Sequence, residues 1–274
     1  MTEWNLVKTY WEDNIAKYLS PTFLLHQKHH KRTKHLVVKA EQQDLIRQEK
    51  QTTIPYQLHI KLLIEDLDDY YHEEWRQQRI ARFEEGWLLD DHPVARTISD
   101  NLPRVQANPL ETRFVYDRRA AVRYAERWWN SANPAYHYFE ENDCTNYVSQ
   151  CLKAGGIPMH GMPNRSEGWW YGQGSWSYSW AVAHSFRWYL AGAVSKWQGR
   201  EVNQASELSP GDVICYDFEG NGRWDHNTIV VAKDSQNQPL VNAHTNNSRN
   251  RFWTYEDSAA WTPACEYLFF RISD

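Results

Sequence analysis

Apolar residues recur at helical spacing near the start of the chain. Trp4, Val7, Trp11, Ile15 and Tyr18 fall on one stripe of residues 3–19, as an amphipathic helix requires. Thr2 is placed to cap it, and Pro21 predicts a stop soon after. From about residue 34 to 90 the period changes. The stretches "HLVVKAEQQDLI", "YQLHIKLLIEDL" and "EEWRQQRIARFEEGWLLDD" alternate or carry short apolar runs. They predict long antiparallel strands with polar faces and a turn at Gly86. "HEEWRQQRIARFEE" also has helical propensity. A helix followed by an antiparallel sheet makes a small α+β domain. Residues 92–111, "HPVARTISDNLPRVQANPLE", hold three prolines and no clear period, the mark of a linker. The expected division is therefore 1–112 and 113–274.

The second half begins with helices. Asp117 is placed to cap "RRAAVRYAERWWN", where Ala121, Tyr124, Ala125 and Trp128 share a face. "DCTNYVSQC" (143–151) then opens a helix that runs to Gly155 and Gly156, a left-handed exit. A third helix is expected over about 177–191. Strands are expected at 212–217, 226–233, 239–244 and 266–272. This order lets the cysteine helix lie across an antiparallel sheet, and the whole chain reads as α+β.

Charge and composition narrow the picture. The net charge of −5 argues against a general nucleic-acid binder. The basic run "HHKRTKH" (29–35) reads as a solvated segment. The first twenty residues carry three acidic side chains and no apolar core, unlike a signal peptide. No run approaches the roughly 20 apolar residues of a membrane span. The expectation is a cytoplasmic chain, with the cell envelope or secretion as the alternative where a leader is missing. Six of the 15 tryptophans lie between 169 and 197. Core packing accounts for most of them, and an exposed aromatic rim would also suit a peptide.

The four cysteines show no CxxC pair. Cys144 and Cys151 share a helix face but lie roughly 10 Å apart along the axis, too far for a disulfide. Cys215 and Cys265 read as small buried residues in strands. Cys144 differs. With Asp143 as cap it stands at the first helical position, where unpaired N–H groups and the helix dipole favour a thiolate. A buried structural cysteine is the plain alternative. A thiol nucleophile needs a base. His226 opens the strand "HNTIVVAK" directly after the loop "FEGNGRWD", where it can face a cleft. The base needs an orienting partner. Asn242 and His244, two apart on the next strand, share a face, and either is a candidate. The oxyanion would meet the backbone N–H of Cys144 and one further donor, Tyr136 or Tyr138. "DFEGNGRWD" (217–225) has a calcium-loop spacing but Thr228 at the twelfth position, so a glycine-rich turn is favoured. Cys144, His226 and His244 are a conceivable zinc set, but HExxH and paired CxxC spacings are missing. No metal and no cofactor is expected.

"DCTNYVSQCLKAGG", "WW" at 169–170, "SPGDVICYDFEGNGRWDHNTIVV" and "NAHTNN" together resemble the bacterial amidase-domain family, over roughly 117–274. Several separated motifs in one order carry the likeness. The resemblance implies a papain-like C-terminal fold, helices packed on an antiparallel sheet, related to the NlpC-type and CHAP-type cell-wall hydrolases. It implies Cys144 as nucleophile and His226 as base. For the third member "LVNA" points to Asn242 and "HT" to His244, which is preferred. The implied activity is hydrolysis of an amide or peptide bond, with cell-wall peptide as a substrate by analogy. A non-catalytic peptide- or glycan-binding module on the same fold is the alternative function.

Overall fold

The computed structural model describes residues 2–94, 104, 114–193, 197 and 199–273. The chain divides into two compact units, Met1–Arg96 with Glu256–Ser258 and Thr97–Tyr255 with Ala259–Asp274. Most of the expected linker, and the expected boundary at 112/113, lie outside the described residues.

In the first unit, α1 (Glu3–Tyr18) starts at Thr2, whose side chain accepts the Asn5 N–H. Pro21 does not end the helical region. It occupies the first turn of α2 (Ser20–Lys28), where its missing N–H costs nothing. The strands are β1 (Lys31–Gln42), β2 (Ile46–Gln48), β3 (Gln51–Asp66), β4 (Asp69–Glu84) and β5 (Trp87–Pro93). All of their pairings are antiparallel: β3 lies between β1 and β4, β2 also pairs with β3, and β5 pairs with β4. The helical propensity of residues 72–85 loses to this pairing. The reason is visible in β3, where Ile54, Tyr56, Leu58, Ile60, Leu62 and Ile64 are all fully buried at period two. A partner strand must cover that backbone. Val7 and Trp11 of α1 complete the core. The turn at Gly86 is present, with φ of +84°.

The second unit holds α3 (Arg118–Trp128), α4 (Cys144–Ala154), β6 (Tyr171–Gly172), β7 (Ser175–Trp176), α5 (Tyr178–Ala181) and α6 (Ala183–Ala193). Six strands follow: β8 (Arg200–Val202), β9 (Val213–Asp217), β10 (His226–Lys233), β11 (Pro239–Ala243), β12 (Ser248–Phe252) and β13 (Glu266–Arg271). They pair antiparallel in the order β12-β11-β10-β9-β13-β8. The expected third helix is two, broken at Val182, whose φ and ψ are extended. Asp117 caps α3 through the Ala120 N–H.

Alternation in β9 and β10 gives the sheet two apolar faces. Val213, Cys215, Ile229 and Val231 pack with Tyr147, Val148, Cys151 and Leu152 of α4. Ile214, Tyr216 and Val230 belong to a separate cluster with Val241 and Tyr255. Helix α4 is therefore buried against the sheet along most of its length, which fixes its N-terminus near the start of β10.

Candidate active site

Cys144 is the first residue of α4, as expected, and is 4% exposed. The other three cysteines stand where burial disfavours the thiolate. Burial pushes the thiols of Cys151 and Cys215 well up and that of Cys265 to about 11. All four are free, so no disulfide competes for them.

Asp143 does not cap the helix with its carboxylate. Its backbone, at φ −97° and ψ 0°, turns the side chain away from the first-turn amides. The carboxylate instead accepts from the Phe139 N–H at 2.9 Å and from Asn146 Nδ2 at 2.8 Å. Its second oxygen lies 2.6 Å from His244 Nδ1. Thr245 takes the capping role. Its Oγ1 accepts the N–H groups of Asp143 at 3.0 Å and Cys144 at 3.1 Å. The Cys144 N–H expected to face an oxyanion is thus committed to Thr245.

His244 and Asn242 were the candidates for orienting His226, and the structure gives both other partners. His244 Nε2 lies 2.7 Å from the Trp128 carbonyl, while Nδ1 meets Asp143. Both partners are hydrogen-bond acceptors. Tyr147 stacks on it at 4.1 Å. With both nitrogens committed, His244 is not a zinc ligand in this arrangement. Asn242 donates to Glu126 Oε1 and accepts the Asn250 N–H. The register explains the outcome. Asn242 stands opposite Ile229, which packs toward α4. His226 stands opposite Tyr216, a residue of the other cluster.

His226 opens β10, as expected, and is 5% exposed. Its ring contacts Phe218, Tyr216 and Tyr255. Nε2 lies 3.4 Å from the Tyr255 hydroxyl, which is itself 3.1 Å from Ser248 Oγ. The residue after His226 ties this strand to α4. Asn227 Nδ2 donates to Thr145 Oγ1 at 2.9 Å, and Thr145 Oγ1 lies 3.7 Å from Cys144 Sγ.

Tyr136 lies flat on Trp180, with ring centres 5.9 Å apart. Tyr138 is 37% exposed, with its ring edge-on to His244. Trp176 is stacked on His137 and on Tyr171. Together with Phe139 these rings form a partly exposed aromatic wall beside the segment that leads into Cys144. The glycine-rich loop spends its carboxylates on itself. Asp217 accepts the N–H groups of Gly220, Asn221 and Gly222, and Asp225 accepts that of Phe218. This is a hydrogen-bonded turn.

Tyr255, Thr245, Thr145 and Asn227 were not singled out from the sequence. Thr145 and Asn227 are the immediate neighbours of the two named residues, a signal within reach. Thr245 follows His244 directly, inside the quoted "NAHTNN", and was equally within reach; Tyr255 comes from a distant position with no local pattern to mark it. Among the described residues no group of three His, Cys, Asp or Glu is placed to hold a metal. Among them, no helix is long and apolar enough to cross a membrane.

The family model described as "Putative amidase domain" matches residues 115–269, more than half of the chain. The uncharacterized protein YhbB of Bacillus subtilis (strain 168) is 47% identical over 234 residues, covering 81% of this chain and 75% of that protein. That length exceeds the family match, so the similarity extends beyond it. The uncharacterized protein YjcM of the same organism is 30% identical over 193 residues, 66% of this chain and 44% of that protein. No solved structure matches. The chain, whose second unit carries Cys144 at a helix start, belongs to the amidase-domain family.

Proposed function

We propose that the second unit is a cysteine-dependent hydrolase of amide or peptide bonds, with Cys144 as nucleophile and His226 as base. The observation that carries this is the setting of Cys144. It stands at the positive end of a buried helix, with a hydroxyl beside its sulfur. A cysteine there is favoured as thiolate. The reading requires the His226 ring, at the first position of β10, to reach the Cys144 sulfur; the ring takes the thiol proton, and Sγ attacks the carbonyl carbon. The tetrahedral intermediate collapses, the C–N bond breaks, and His226 returns the proton to the leaving amine. Water then gives a proton to His226 and attacks the thioester, releasing a carboxylic acid and the thiolate. Tyr255 is the orienting group, in place of His244 or Asn242. Its hydroxyl at Nε2 turns Nδ1 to the task of proton transfer. The Asp143–His244 pair holds the segment before Cys144 in place.

The aromatic wall of Tyr136, His137, Phe139, Tyr171 and Trp176 suits a peptide or sugar-peptide chain. Cell-wall peptide is the substrate class this reading favours. Hydrolysis is tested with a panel of N-acyl peptides and cell-wall peptide fragments, followed by mass spectrometry. Wild type is expected to release amine and acid, and Cys144→Ala is expected to lose this entirely. A thioester adduct on Cys144 after acid quench is the expected intermediate. Turnover that survives Cys144→Ala would overturn the mechanism.

A further inference from the structure

Two polar side chains next to the proposed catalytic pair neither carry a proton nor form a bond in the steps above. Thr145 is fully buried in the first turn of α4, and Asn227 is fully buried at the start of β10. A fully buried threonine hydroxyl must satisfy its hydrogen bonds within the protein. Thr145 Oγ1 accepts from Asn227 Nδ2 at 2.9 Å. Its other neighbour is Cys144 Sγ at 3.7 Å. An amide NH2 can only donate. Thr145 therefore spends one lone pair on Asn227 and keeps its own proton available for the sulfur. With a thiolate at Cys144, which can only accept, the chain of donation runs from Asn227 through Thr145 to the sulfur.

This direction has a chemical consequence. A thiol could donate to the hydroxyl, but a thiolate can only accept. The polarity imposed by Asn227 matches the thiolate. The amide pays for it on the other side, because its Oδ1 is buried without a partner. The reversed amide would put that oxygen on Thr145, draw the hydroxyl proton away from sulfur, and suit the neutral thiol. A buried acceptor left unpaired is costly, and such groups call for an explanation.

We infer that Thr145 is a hydroxyl donor to the Cys144 thiolate and that Asn227 is a positioning residue which sets the direction of that hydrogen bond. The inference rests on the reading of Cys144 as the nucleophile. It makes Thr145 a contributor to nucleophile activation through a side chain, beyond the helix dipole and the histidine.

The test is the pH dependence of Cys144 alkylation by iodoacetamide, resolved by peptide mass spectrometry, in the full-length protein. Wild type, Thr145→Ser, Thr145→Val and Asn227→Asp are compared, with far-UV circular dichroism to check each fold. The apparent pKa of the wild-type thiol is expected to lie below the ordinary thiol value of about 8.5. Thr145→Ser keeps the hydroxyl and is expected to match wild type. Thr145→Val is expected to raise the apparent pKa by about one unit, a tenfold loss of thiolate well below it. Asn227→Asp replaces the donor by an acceptor and is expected to raise it at least as far. A folded Thr145→Val protein with the wild-type profile would overturn the inference while leaving an activated Cys144 intact. A wild-type thiol with an ordinary profile would instead overturn the nucleophile reading itself, and this inference with it.

Discussion

Asp225 shows how a single side chain can carry a pH signature. It is half-buried beside the start of β10, and burial pushes its carboxyl up to about 6, with Asp217 and Glu219 adding to the effect. A raised carboxyl holds its proton more tightly in the folded protein than in the unfolded chain. The stability it contributes is complete below the ordinary value of 3.8 and is lost as pH rises through about 6. Asp225→Asn keeps an oxygen for the Phe218 N–H and removes the charge. The variant is expected to melt above wild type at pH 7, with the gap closing below about pH 4. Thermal unfolding across that range checks it, and a gap that ignores pH would contradict it. At this scale the sequence was informative about where residues stand and less so about what each touches. Cys144 and Asp143 were legible because a helix start has a local signature. The turning of the Asp143 carboxylate toward His244 was not, since it depends on a backbone angle and on a residue 101 positions away.

The element that governs the site is the N-terminus of α4. Thr245 closes it from the turn after β11, with a backbone φ of +68°. A β-branched residue adopts that region only under strain. The two N–H groups it accepts offset the strain, each worth about 1 kcal/mol. Thr245→Val has the same shape without the hydroxyl and is expected to destabilise the protein by about 2 kcal/mol. Thr245→Ser keeps the hydroxyl and sheds the branch, so it is expected to be neutral or stabilising. Urea unfolding of both variants checks the pair, and equal losses would contradict the capping role. Elements with a strong period were legible. The alternation of β3 and the stripe of α1 need only local sequence. The short strands β8 and β12 were missed, because a run such as "SRNRF" has no apolar period and becomes a strand only through its partner β11. Helix α2 was missed because Pro21 can end one helix or begin the next.

At the scale of the whole molecule the chain has two units, each with helices and antiparallel strands, and the family match falls almost wholly in the second. The α+β character was legible from the change of period along the chain. Sheet order was not, because β13 inserts between β8 and β9 from the far end of the sequence. Every functional statement about the second unit depends on one property, an activated thiol at Cys144. Cys144 and His226 are 4% and 5% exposed, so turnover requires that an amide reach a nearly covered sulfur. The most direct test is the rate of Cys144 alkylation against pH in wild type and in His226→Ala. The account predicts reaction well below pH 8.5 in wild type, with the profile lost or moved up in the variant. A Cys144 that is inert, or that titrates as an ordinary thiol in both proteins, would contradict the account and leave the aromatic wall as a binding surface.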